Sequence, residues 1–180
     1  RAARYGLTLA YMENKEFNKA HETLAPLLES EPNRIAYVVT KAEIYTQGNE
    51  PGMARDFLAR HMTINPDNHP LTMAYADALI ASREHAEALQ VLEHHATIRP
   101  EDHDLWYLIA ETQGLVGDVS KVHQARAEYF ILVGDFRSAS EQLTYALRIE
   151  SEKSNNAPLI ARLRQRSQEV EELGRGARDM

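Results

Sequence analysis

With 180 residues, 43% of them hydrophobic, the chain can build one buried core or a short stack of small units. Its net charge of -7 offers no basic face to a phosphate backbone, which argues against nucleic acid as the main partner. It has no cysteine, which removes disulfides, thiolate nucleophiles and thiolate metal sites, and no apolar run is long enough to span a membrane.

The chain opens on Arg1 with no signal-peptide pattern, and it reads as a piece of a longer protein. Helix breakers and apolar period predict helices near 3–13 and 16–30, then 34–47 and 51–64, then 69–82 and 85–98. These three pairs repeat at 34 residues. Tyr11 falls on Tyr45 and then on Leu79; Ala20 falls on Ala54 and Ala88; Leu24 falls on Leu58 and Leu92. Pro32, Pro66 and Pro100 close the three units, as a residue that cannot continue a helix should. An alanine ladder allows two helices to cross closely, and the Leu and Tyr ladders fill the seams between them. Four ladders with one period identify a repeat.

Further on, helices are expected near 103–116, 119–132, 136–149 and 157–173. After Trp106 the period slips. Gly134, Phe136, Ala139, Leu143 and Ala146 restart the pattern about half a repeat early, so the helix near 120–132 closes a fourth repeat and opens a fifth. A polar linker, Ser151 to Asn156, precedes the last helix, whose stripe of Leu159, Ile160, Leu163, Val170 and Leu173 is expected to cap the open end of the array. The expected organisation is an array over 1–150, with repeats near 1–34, 35–68, 69–102 and 103–150, followed by linker and capping helix over 151–180.

The period and the ladders resemble the tetratricopeptide repeat (TPR), specifically over 1–102 and more loosely afterwards. The resemblance implies an all-α, right-handed solenoid of four to five helix pairs that binds other proteins. The chain also departs from the family. The aromatic that usually opens the first helix of each pair is present only as Trp106, where earlier repeats have Arg4, Val38 and Thr72. The usual glycine is replaced by Thr8, Ala42, Ala76 and Ala110.

No catalytic constellation is visible. His21-Glu22-Thr23-Leu24-Ala25 begins like the zinc-binding H-E-x-x-H, but Ala25 stands where the second histidine should be. Among the eight histidines, His61 and His95, and likewise His69 and His103, occupy matching repeat positions, which explains them without a metal. Arg162, Arg164 and Arg166, followed by Glu169, Glu171 and Glu172, read as a solvated face with ion pairs across turns, or else as a docking surface. The chain is read as non-catalytic, with no cofactor or metal of its own.

The first helix of each TPR pair lines a concave face, so the register predicts what a partner would meet. Glu43, Asp77 and Glu111 form an acidic ladder, and one turn away Tyr5, Val39, Met73 and Tyr107 form an apolar one. Met12, Thr46 and Ile80 extend it from a third row. The residues of the first two ladders are the candidate protein-binding site, suited to segments with basic and apolar side chains. TPRs that clamp a chaperone's terminal carboxylate need Lys, Asn and Arg there, whereas Tyr5, Leu9, Glu43, Met73 and Asp77 stand in their place.

His123-Gln124-Ala125-Arg126-Ala127-Glu128-Tyr129, then Gly134-Asp135-Phe136, Glu141-Gln142-Leu143 and the Arg162-Leu163 helix ending near Met180, resemble the C-terminal repeats of BepA (YfgC)-type periplasmic zinc metalloproteases, mainly over 103–173. That resemblance implies a zinc-holding H-E-x-x-H domain upstream and a Gram-negative periplasmic setting. It also implies outer-membrane protein quality control, with the outer-membrane β-barrel assembly machinery and barrel substrates as partners and no membrane insertion by this chain. The alternative is a stand-alone cytoplasmic scaffold or co-chaperone.

Overall fold

The computed structural model describes residues 1–153 and 156–177. Among these it holds ten helices and no strand. They are α1 (Ala2–Glu13), α2 (Phe17–Ser30), α3 (Ile35–Gln47), α4 (Pro51–Ile64), α5 (His69–Ala81), α6 (His85–Ile98), α7 (His103–Val116), α8 (Val119–Leu132), α9 (Phe136–Lys153) and α10 (Ala157–Gly176). No described helix is long and apolar enough to cross a membrane. The chain divides into two compact units, Arg1–His95 and Ala96–Met180.

In the first unit the ladders form the core. Ala20, Ala54, Ala88, Leu24, Leu58 and Leu92 have no exposed surface at all. Met12, Leu24, Leu27, Tyr37 and Ile44 pack α1, α2 and α3 together, and Val38, Ala42, Leu58, Leu71 and Ala78 do the same for α3, α4 and α5. Burying one such leucine contributes about 1.5–3 kcal/mol relative to leaving it exposed. Thr8, Ala42 and Ala76, which replace the family's glycine, are all buried, and the Thr8 hydroxyl donates to the Arg4 carbonyl at 3.1 Å.

The turns repeat as faithfully as the core. Lys15, Asn49 and Arg83 adopt left-handed backbone, with φ of 58°, 65° and 64°. At each the chain closes a Schellman-type bond: Glu16 N–H to the Tyr11 carbonyl, Glu50 N–H to Tyr45, and Glu84 N–H to Leu79. The tyrosine–leucine ladder therefore supplies both packing and the acceptor that ends each first helix.

The second unit continues the turn at Gly117 (φ 78°), and then again at Gly134 (φ 79°), half a repeat on. The Asp118 and Asp135 N–H groups close the same bond on Gln113 and Phe130. That is the slip in structural form: the turn recurs early, and α8 packs on both α7 and α9. Ala127, Ala139, Leu143, Ala146, Leu163 and Val170 form the core of this unit.

α9 and α10 run further than the sequence predicts. Ser151, expected to open the linker, is helical; residues 154 and 155 of that linker, and residues 178–180, lie outside the described residues. In the polar last turn of α9, Lys153 donates to Glu150 at 3.1 Å, a pairing that an apolar period cannot reveal. α10 packs along α9 through Leu163 and Val170, while Leu173 stays 46% exposed. At Gly174 the helices approach so closely that a Cβ would stand 3.2 Å from the Phe136 Cβ. Arg166 also ties α10 to α8 through two bonds to Glu128, at 2.9 and 2.5 Å. One member of the arginine run is thus a tertiary ion pair, which the local reading of a solvated face missed.

Candidate protein-docking hollow

In the first unit, α3 and α5 leave a hollow of about 460 Å³ between them. Asn68 caps α5, its Oδ1 accepting from the Leu71 N–H at 3.3 Å, and Leu71 and Ala78 anchor that helix in the core. The opposite side of α5 then faces the hollow with Pro70, Met73, Ala74 and Asp77, and α3 faces it with Val39, Ala42, Glu43, Thr46 and Gln47. The walls are mainly apolar. The charges are Glu43 and Asp77.

Among the described residues neither carboxylate has a hydrogen-bond or ion-pair partner. Both reach solvent, yet the recessed setting strips part of their hydration. Burial, and after it the Asp77 charge, raise the Glu43 carboxyl above its ordinary value, and burial raises Asp77 likewise. Two like charges are held over an apolar floor without a described counter-charge, an arrangement that a cation from outside would relieve.

Of the predicted site residues, the hollow brings together Val39, Glu43, Met73 and Asp77, with Thr46 from the third row. Tyr5 does not line it. Its ring packs 5.2 Å from that of Tyr37 and its hydroxyl lies 2.9 Å from Thr40 Oγ1, so its equivalence to Val39 and Met73 ends in core packing. Met12 is buried as well. Tyr107 and Glu111 belong to the second unit. There Tyr107 is 54% exposed with its ring 5.8 Å from that of Tyr129, and Glu111 has Arg126 Nη2 at 3.9 Å. Ala42, Gln47, Pro70 and Ala74 line the hollow without being among the site residues that the sequence predicts. Ala42 could have been, since it holds the family's small-residue position at the floor.

Among the described residues no group of three or more His, Asp or Glu side chains is placed to hold a metal ion. His69 and His95 nevertheless meet, rings stacked at 5.3 Å with Nδ1 and Nε2 3.1 Å apart, a pairing that spacing alone did not show. His21 of the zinc-like pentapeptide contacts the Lys41 ammonium, and Leu24 is core.

Helix pairs at a 34-residue period, crossing at alanines and closed by prolines, define a helical-repeat protein. Residues 46–112 match the tetratricopeptide repeat family model. Among solved structures the chain is similar to MamA from Desulfovibrio magneticus RS-1, with 14% identity, TM-score 0.64, and 95% of this chain and 94% of that one covered. It is also similar to a thermophilic TPR protein in Thermus thermophilus (16%, TM-score 0.58, 94% and 97%) and to a tetratricopeptide repeat protein from Parabacteroides merdae ATCC 43184 (14%, TM-score 0.58, 92% and 70%). At these identities the likeness establishes the fold, which is TPR-like and all-α. No curated protein sequence matches the chain. TPR folds serve protein–protein contact and are generally non-catalytic.

Proposed function

We propose that the chain is a polypeptide-docking module whose principal site is the α3–α5 hollow. The observation that carries this reading is the pair of uncompensated carboxylates, Glu43 and Asp77, set over the apolar wall of Val39, Met73 and Ala74. Apolar walls provide affinity, and adaptable Met contacts tolerate varied side chains. The uncompensated acids select sign and speed encounter with basic partners.

The module delivers partners or substrates to an attached periplasmic zinc metalloprotease, and its partners are the outer-membrane β-barrel assembly machinery and barrel substrates. Support for this finer reading is the BepA-like run from His123 to Leu143. The test is a photo-crosslinker placed at Met73, with Arg60 on α4 as control, in a strain whose assembly-machinery subunits are tagged. Adducts with a tagged subunit from Met73 and none from Arg60 are expected. Equal yields at the two positions, or none, overturn the assignment. An H-E-x-x-H helix encoded upstream of Arg1 is expected as well; its absence leaves a stand-alone scaffold.

A further inference from the structure

The hollow's chemistry goes further than "a partner", and names what the partner must present. We infer that the occupant is a short extended segment carrying a lysine or arginine between apolar residues, its cation seated between Glu43 and Asp77 and its alkyl stem lying on Val39, Met73 and Ala74. This rests on the docking reading above.

Charged side chains elsewhere in the same unit are commonly matched. Arg1 and Arg34 bond Glu31, Lys19 bonds Glu16, and Arg55 bridges Asp56 and Glu84. Glu43 and Asp77 stand one repeat apart on α3 and α5, line the same hollow and have no such cation among the described residues. Two carboxylates on separate helices offer separate acceptors, which the several N–H donors of an ammonium or guanidinium can satisfy at once. The floor adds a second requirement. Val39, Met73, Ala74 and Pro70 exclude a small hydrated ion from good contact but match a methylene stem, because Lys and Arg bury their stems while keeping the charged head among polar groups. An acidic segment or a terminal carboxylate meets repulsion in the same place.

The test uses the full chain with methyl-labelled methionine and two end-blocked peptides, Gly-Ser-Leu-Lys-Leu-Ser-Gly and its counterpart with norleucine for lysine, which keeps the stem and removes the charge. The lysine peptide is expected to shift the Met73 methyl resonance and to bind about tenfold tighter at low salt than the norleucine peptide. In the Glu43→Gln/Asp77→Asn variant the two affinities should become equal. Added salt should weaken the lysine peptide alone, a readout that needs no variant. If both peptides shift Met73 and bind equally to the unsubstituted chain, the cation requirement is overturned while docking stands. If neither shifts Met73, the docking reading falls, and this inference falls with it.

Discussion

The same repeat position is used differently in the two units. In Arg1–His95 the ladder position of Leu24, Leu58 and Leu92 is fully buried. In Ala96–Met180 the next rung of that ladder is Arg126, half exposed and within 3.9 Å of Glu111, the third acid of the acidic ladder. In the first unit the position serves packing and Glu43 and Asp77 stay uncompensated. On α8, which keeps the spacing but packs on both α7 and α9, a half-exposed arginine takes the leucine's place and the acid gains a cation. The same repeat position thus goes from core to surface, and its arginine stands beside the acid whose equivalents in the first unit have no described counter-charge.

The largest expected contrast lies on that ladder. Leu58→Ala should cost about 2–5 kcal/mol in urea denaturation, because it opens a cavity in a side-chain core with no solvent access. Arg126→Ala, at the equivalent position, should change stability by no more than about 0.5 kcal/mol. Comparable losses would mean that the position is not exposed on α8.

The left-handed turns give a smaller contrast. A methyl added at Gly117 meets only open space, so Gly117→Ala should lose about 1–2 kcal/mol from backbone strain alone. Arg83 carries that strain already, so Arg83→Gly should recover a few tenths to about 1 kcal/mol after glycine's greater unfolded-state freedom is subtracted. Thermal unfolding of both variants checks the pair. A loss at both sites would show that Arg83 is held by contacts rather than strained.

The smallest effect concerns pH. The folded values of Glu43 and Asp77 lie above their unfolded ones, so their ionised forms oppose folding. Between the unfolded and folded values the native state binds more protons, and stability from this pair falls as pH rises through that window. Above it, Glu43→Gln/Asp77→Asn should be slightly more stable than the unsubstituted chain; below it, the two should converge. Side-chain carboxyl NMR should place both groups above the ordinary carboxylate range.

Much of the fold is legible in the sequence because the ladders report crossings directly: Ala20, Ala54 and Ala88 are small where backbones meet, and prolines mark each exit. α9 is the exception. Its last turn is polar and carries the Glu150–Lys153 bond, and no apolar spacing announces that turn. The site is legible in its middle and illegible at its ends. Val39, Glu43, Met73 and Asp77 follow the register into one hollow. Tyr5 shares the position of Val39 and Met73, but Tyr37 and Thr40 supply partners that draw it into packing. Glu111 shares the acidic position, yet Arg126 reaches it from α8, which keeps the 34-residue spacing but buries Ala125 and Ala127 and leaves Arg126 at the surface, a meeting that no apolar ladder announces. The His69–His95 stack and the Arg166–Glu128 pair are missed because each joins residues at unrelated repeat positions.

The most direct measurement compares two charge reversals on one ladder. Binding of the blocked Leu-Lys-Leu peptide is followed by fluorescence anisotropy in Asp77→Lys and, separately, in Glu111→Lys. Asp77→Lys should abolish most of the binding, because it places a cation in a hollow that lacks one. Glu111→Lys should leave the affinity within about twofold, since that acid is already neighboured by Arg126. Equal losses in both variants, or none in either, would contradict the assignment of docking to the α3–α5 hollow.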